Sequence, residues 1–229
     1  MYASLELHIE QSANLEENQK KIGIVDAICA PSNLILTLKG EQSHAGGTSM
    51  ERRKDAFMVA SEISLILEKC VRHGTSAYTT GTVGFVQVVP NAINVIPGEV
   101  VMSIDVRDCD EFSKNQVIKQ FLAEASKIVQ KRKIVMSVEE KCNDVPMMCD
   151  KHIIQTLQRI CEEKKFSHMH TVSGAYHDSL FLREFAPVGM IFVPSKNGIS
   201  HSPEEWTDFE DIELGTTLLA EALLTLANE

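Results

Sequence analysis

The chain has 229 residues, room for one large domain or two small ones. Apolar residues make up 44% and charged residues 24%, which excludes disordered, fibrous and coiled-coil classes. Lysine and arginine number 22 against 32 aspartates and glutamates, and the resulting charge of −10 disfavours nucleic acid or an anionic membrane as partner and favours a small polar substrate.

No apolar run reaches the roughly 18 residues of a membrane span. Residues 1–11 hold no basic region ahead of an apolar stretch, so a cytoplasmic location is expected. The six cysteines (Cys29, Cys70, Cys109, Cys142, Cys149, Cys161) form no CxxC pair, which argues against a zinc ribbon or thioredoxin motif and for reduced thiols.

In chain order, residues 2–10 read as a strand with Leu5, Leu7 and Ile9 on one side and Glu6, His8 and Glu10 on the other. A second strand covers 22–28. Residues 33–40 alternate as a half-buried strand, and 53–70 place Ala56, Ala60, Ile63 and Leu67 at helical spacing. Runs 79–89 and 95–106, separated by Pro90 and Asn91, predict an antiparallel hairpin. Residues 113–131 set Val117, Phe121 and Ile128 on one helical face with Ser113 as N-cap, and 133–139 alternate again. The sum is β-α-β-β-α-β, a ferredoxin-like arrangement over about residues 28–142.

The flanks are different material. Residues 143–150 read as a return linker, followed by a helix at 152–164, strands at 167–171 and 188–194, and a helix at 208–228 with Ile212, Leu219 and Leu223 inward. An α/β fold follows, in which residues 1–27 and 143–229 form a partial α/β domain interrupted by residues 28–142.

His8, ending a strand, suits either a metal ligand or a structural histidine. His201 lies in a glycine and proline loop after an apolar strand, where functional residues collect. His44 sits in Ser-His-Ala-Gly-Gly, whose small residues permit close backbone approach. Arg107, on a hairpin strand with Asn94, has the fork that suits a carboxylate but equally suits a surface ion pair. Ser173, His177 and Asp178 stand too close in sequence for a serine triad, and GxSxG is absent. The pair His168 and His170 finds no acidic or cysteine ligand nearby in the sequence and reads as an exposed strand end.

Taken together and in order, HIEQ, SHAGGTSMERRKDA, TVG with PNAINVIPGEVVMSIDVR, SGAYHD and FVPSKNGISHSPEE resemble the amidase, hydantoinase and carbamoylase branch of the M20 metallopeptidase family over nearly the whole chain. That branch contains N-carbamoyl-L-amino acid hydrolases, allantoate amidohydrolases and β-ureidopropionases. The resemblance implies an M20-type catalytic α/β domain with an inserted ferredoxin-like lid that forms a homodimer. It implies two divalent ions (Zn, Mn, Co or Ni), with His8 on one and His201 on the other. His44, Asn94 and Arg107 would reach into the partner subunit's site to hold the substrate's oxyanion and carboxylate, and Gln11 and His177 would line the pocket. The substrate would be a small carboxylate-bearing ureido compound, an N-carbamoyl amino acid or allantoate.

Ser12 replaces a usual glycine and Ser49 a usual proline, and neither removes a ligand. In the family a bridging aspartate, a further histidine and two adjacent glutamates, one the general base, precede HIEQ, whereas seven residues precede His8 here. The expectation is therefore a truncated C-terminal portion with an incomplete metal centre, inactive alone. The rival readings are an M20 aminoacylase or dipeptidase and a non-catalytic dimerisation or binding module.

Overall fold

Runs of β-branched residues become strands, and the amphipathic stretches between them become helices. In chain order they are β1 (Ser4–Ile9), the short α1 (Asn14–Glu17), β2 (Ile22–Ile28), β3 (Ala30–Lys39), β4 (Ser43–His44), α2 (Ala56–Arg72), β5 (Thr80–Val89) and β6 (Val95–Ile96). There follow β7 (Glu99–Asp108), α3 (Glu111–Arg132), β8 (Val135–Asn143), β9 (Met147–Met148), α4 (Lys151–Lys164), β10 (His168–Ser173), α5 (Ser179–Leu182), β11 (Val188–Val193) and α6 (Phe209–Ala227). The computed structural model describes residues 2–229, which fall into two units, Met1–Cys29 with Pro146–Glu229, and Ala30–Val145.

In the unit Ala30–Val145 an antiparallel sheet runs β5-β7-β3-β8, the strand order of a split β-α-β arrangement. Strand β7 alternates without a break, so Val100, Met102, Ile104 and Val106 all point inward. Helices α2 and α3 cover them with Ala60, Ile63, Leu67, Val117 and Phe121. Each large apolar side chain buried this way contributes about 1.5–3 kcal/mol. The run 95–106 is not one strand: Pro97 and Gly98 interrupt it, so β6 pairs with β4 while β7 starts at Glu99 and pairs with β5.

Ser113 does not cap α3. Asp110 does, accepting from the Ser113 amide at 2.6 Å, because a carboxylate both satisfies that donor and meets the positive helix end. Behind the cap, the fully buried Lys114 donates to the carbonyls of Pro31, at 3.4 Å, and of Asp144. The Asp144 amide also donates to Pro31 O at 3.0 Å, so the two strands by which the chain enters and leaves this unit are fastened together.

In the other unit the sheet runs β1-β11-β2-β10, with β9 beside β2. Strand β1 is parallel to β11 and β2 to β10, while β11 and β2 are antiparallel. Strand β11, VGMIFV, is buried along its whole length, as a central strand covered on both faces requires. Asp150 caps α4 through the amides of His152 and Ile153. Ile153, Leu157 and Ile160 then pack with Ile22, Ile24 and Ile191.

Helix α6 turns a different face to the core from the one its periodicity predicts. Gly215, Leu218, Ala222 and Leu226 are buried, Leu219 is half-buried, and Ile212 and Leu223 are exposed. Leucines nearly encircle this helix, so apolar spacing fixes its orientation weakly, and Gly215 decides it. A Cβ there would lie 2.6 Å from Val193 Cγ1 and 2.8 Å from Leu7 Cδ1.

Among the described residues no helix is long and apolar enough to cross a membrane, and no two of the six cysteines are joined. The close approach at Gly215 reverses an ordinary helix rule. Gly→Ala inside a helix normally stabilises by about 0.8–1 kcal/mol. Gly215→Ala is expected instead to destabilise by about 1–3 kcal/mol through overpacking. Urea unfolding of this variant beside the exposed Thr216→Ala checks it, and an increase in stability would contradict the packing described.

Candidate functional site

The site starts from the register of β1 on β11, which pairs Glu6 with Met190 and His8 with Phe192. Alternation sends Leu5, Leu7 and Ile9 into the core and leaves Glu6 and His8 on the opposite face. His8 Nδ1 lies 2.8 Å from the carbonyl of Ile9. A carbonyl only accepts, so this nitrogen carries the proton and Nε2 keeps its lone pair.

His177 meets His8 edge-on, with ring centroids 4.6 Å apart, and Glu6 Oε1 lies 3.7 Å from its Nδ1. Its Nε2 is 2.8 Å from Ser173 Oγ, and that hydroxyl donates onward to Ala175 O at 3.1 Å. Ser173 therefore accepts from Nε2–H, and the Nδ1 lone pair faces Glu6 and His8. Glu6 is steadied by the Ser179 amide, which donates to Oε2 at 3.1 Å. Burial pushes the His177 pKa down to about 4, with the neighbouring His8 adding to the effect and Glu6 and Asp178 opposing it. The ring is neutral at pH 7 and available as a ligand.

Glu6, His8 and His177 thus offer one carboxylate oxygen and two imidazole nitrogens within 4.8 Å of one another. Such a nitrogen and oxygen set suits zinc or a neighbouring transition metal, and three protein ligands leave a position open. The donor chemistry therefore fits one divalent ion.

His201 is outside this trio. It sits exposed on the loop after β11 with φ +55°, and its amide donates to Glu205 Oε2 at 2.9 Å. The Ser200 hydroxyl, the His201 amide and the charges of His201 and His8 hold the Glu205 carboxyl below its usual range. Gln11 takes a left-handed backbone at φ +59°, fixed by its amide donating to Ser195 Oγ at 2.9 Å.

His44 and Asn94 come together: β4 pairs His44 with Val95, and the Ala45 amide donates to Asn94 O at 3.0 Å. Arg107 does not join them. It pairs with Pro31 at the far end of β3, whereas Glu99 at the near end pairs with Lys39. At about 3.3 Å per residue, roughly 25 Å of strand separates the two ends. Asp105 holds Arg107 Nε at 3.0 Å and Nη2 at 2.8 Å.

Sequence reasoning passed over Glu6 and Glu205. Glu6 was detectable, because position i−2 on a strand shares a face with His8. Glu205 was not, since its place depends on how the loop folds. His170 also has a partner hidden in the sequence, Asp26 Oδ1 at 2.7 Å from its Nδ1, brought there by the pairing of β10 with β2.

The model of peptidase family M20/M25/M40 matches residues 1–225. The ureidoglycolate hydrolase of Arabidopsis thaliana is 43% identical over 227 residues, 99% of this chain and 47% of that protein. The N-carbamoyl-L-amino-acid amidohydrolase of Pseudomonas sp. (strain NS671) is 37% identical over 219 residues, 96% of this chain and 53% of that protein. A crystal structure of AtUAH in complex with glyoxylate matches with TM-score 0.93 and 41% identity, covering 100% of this chain and 54% of that one. The chain spans about half the length of the curated relatives it matches.

His177 gives the site a pH signature. The folded ring titrates near 4 and its ordinary value is 6.5, so between these values the unfolded chain binds the proton more readily. Stability of the metal-free protein is full above about pH 6.5 and falls by about 3 kcal/mol as pH drops to about 4. His177→Gln should remove this decline. Urea unfolding of both proteins across that range is the check, and parallel curves would refute it.

Proposed function

The chain belongs to peptidase family M20/M25/M40, and from that premise we propose that it is part of a metal-dependent amidohydrolase that cleaves linear carbon–nitrogen bonds of small ureido acids. The observation that supports this most is the convergence of Glu6, His8 and His177 at one end of β1. These residues hold one divalent ion, and His201, on the neighbouring loop, serves a second. When bound, the metals polarise the scissile carbonyl and activate a water. The ligands and general base that the motif order assigns ahead of HIEQ come from a segment outside the 229 residues.

The substrate is an N-carbamoyl amino acid, allantoate or ureidoglycolate. All carry a carboxylate, as does the glyoxylate in the AtUAH complex. Arg107, its guanidinium plane set by Asp105, clamps that carboxylate, while His44 and Asn94 hold the oxyanion and Gln11 lines the pocket. One small ureido acid cannot span the roughly 25 Å between these two groups. His44 and Asn94 therefore serve one site and Arg107 another, each completed by a second copy of the chain. Strand β5 suits the contact: it is a sheet edge without a charged residue, and it exposes Phe85, Val86 and Val89. The cysteines, among them the buried Cys149 and Cys161 whose thiols burial pushes up to about 12, suit a reducing cytoplasm.

Ammonia release from the three ureido acids tests the reading. The 229-residue chain with divalent metal should show no turnover, and adding the N-terminal half of a family member should restore it. Rapid hydrolysis by the chain alone would show that the base lies within it. In the complemented enzyme Arg107→Lys should lower kcat/KM by roughly ten- to a hundred-fold at unchanged metal content. His8→Ala should lose metal and activity together. An unchanged kcat/KM for Arg107→Lys would make the arginine structural.

The chain should sediment as a dimer at tens of micromolar, and Val86→Lys, which places a charge on the β5 edge, should yield monomers. A wild-type monomer at that concentration would sink the shared-site arrangement.

A further inference from the structure

The loop that follows β3 grips its histidine by one particular ring nitrogen. His44 Nδ1 accepts from two consecutive backbone amides, Gly46 N–H and Gly47 N–H, each at 3.0 Å. A nitrogen that accepts presents its lone pair, so in the neutral ring the proton is on Nε2. The loop is itself held in place. Thr48 N donates to His44 O at 3.2 Å, Ser43 and Thr48 share a hydroxyl bond at 2.7 Å, and Arg53 donates to the carbonyls of Thr48 and Ala45. On the other side the β4–β6 pairing ties His44 to Val95.

We propose that the Gly46 and Gly47 amides are positioning groups that fix the His44 imidazole as an Nε2–H donor. A ring so held offers a hydrogen bond to an oxygen that gains negative charge. It has no lone pair at Nε2 with which to take a proton from water. The amides matter here and the missing side chains do not. A Cβ at position 46 would lie 3.4 Å from His44 Cε1, and one at position 47 would lie 3.6 Å from Nδ1, both within or at the edge of ordinary contact. The functional consequence rests on the reading of His44 as an oxyanion holder, whereas the ring geometry does not.

Nitrogen-15 NMR on histidine-labelled chain near pH 8 reads the tautomer directly. The expected result is a lone-pair Nδ1 and a protonated Nε2, with cross-hydrogen-bond couplings from the amides of residues 46 and 47 to Nδ1. Gly47→Ala, which keeps the amide, should leave the tautomer in place. Gly46→Pro and Gly47→Pro, each removing one donor, should release it toward a mixture. A protonated Nδ1 or an averaged ring in the wild type overturns the proposal, as does a fixed tautomer without either coupling. The couplings decide the matter even if the proline variants do not fold. In the complemented enzyme His44→Ala should lower kcat by at least ten-fold. Unchanged turnover there would refute the oxyanion role while leaving the tautomer assignment intact.

Discussion

The parallel pairing of β1 with β11 is the constraint from which the site follows. It fixes which face of β1 carries Glu6 and His8, and it delivers both strands to the same end of the sheet. There the two following loops interlock. The Glu10 amide donates to Val193 O, the Gln11 amide to Ser195 Oγ, and the Asn197 amide to Glu16 Oε2. Gly198, at φ +65°, has no room for a side chain against Ala13 N, 2.6 Å from where a Cβ would stand. A one-residue slip of β1 would turn Glu6 and His8 into the core and put Leu5 and Leu7 in their place.

Within that frame, desolvation and not charge pairing decides the state of the site. His177 has the carboxylate of Glu6 close by, which favours a proton, yet burial outweighs it and the ring stays neutral. The same burial that makes protonation costly makes the lone pair available, and the Ser173 hydroxyl aims it. A solvent-exposed histidine at this position would be only a weaker, less directed donor.

Much of this could be read in the sequence, and the exceptions have identifiable causes. Strict alternation in 95–106 and at 33–40 located the sheet of the unit Ala30–Val145, and helical spacing of Ala56, Ala60, Ile63 and Leu67 located α2 correctly to its buried face. The face of α6 was illegible because leucines surround it, so a single tertiary contact at Gly215 overrode the pattern. The cap of α3 was misread as Ser113 because hydroxyl and carboxylate stood three residues apart with equal claims on the first turn. At the site, His8 and His177 were visible as separate motifs. That they share a face with Glu6 depends on strand pairing across some 170 residues, which local pattern does not encode. The distance of Arg107 from His44 has the same origin. Thirteen residues separate Asn94 from Arg107, and only the extended course of β7 carries them to opposite ends.

Lys114 adds something to the architecture beyond its own burial. By joining the carbonyls of Pro31 and Asp144 it holds the first and last strands of the unit Ala30–Val145 side by side at its base. A segment whose ends emerge as neighbours enters and leaves through a doorway about one strand spacing wide, roughly 5 Å. A host loop can accept such a segment without being spread open, and can release it without leaving a gap. The unit is in this sense a cassette: its fold is closed before its termini are reached, so it could be transplanted between hosts with its own core undisturbed.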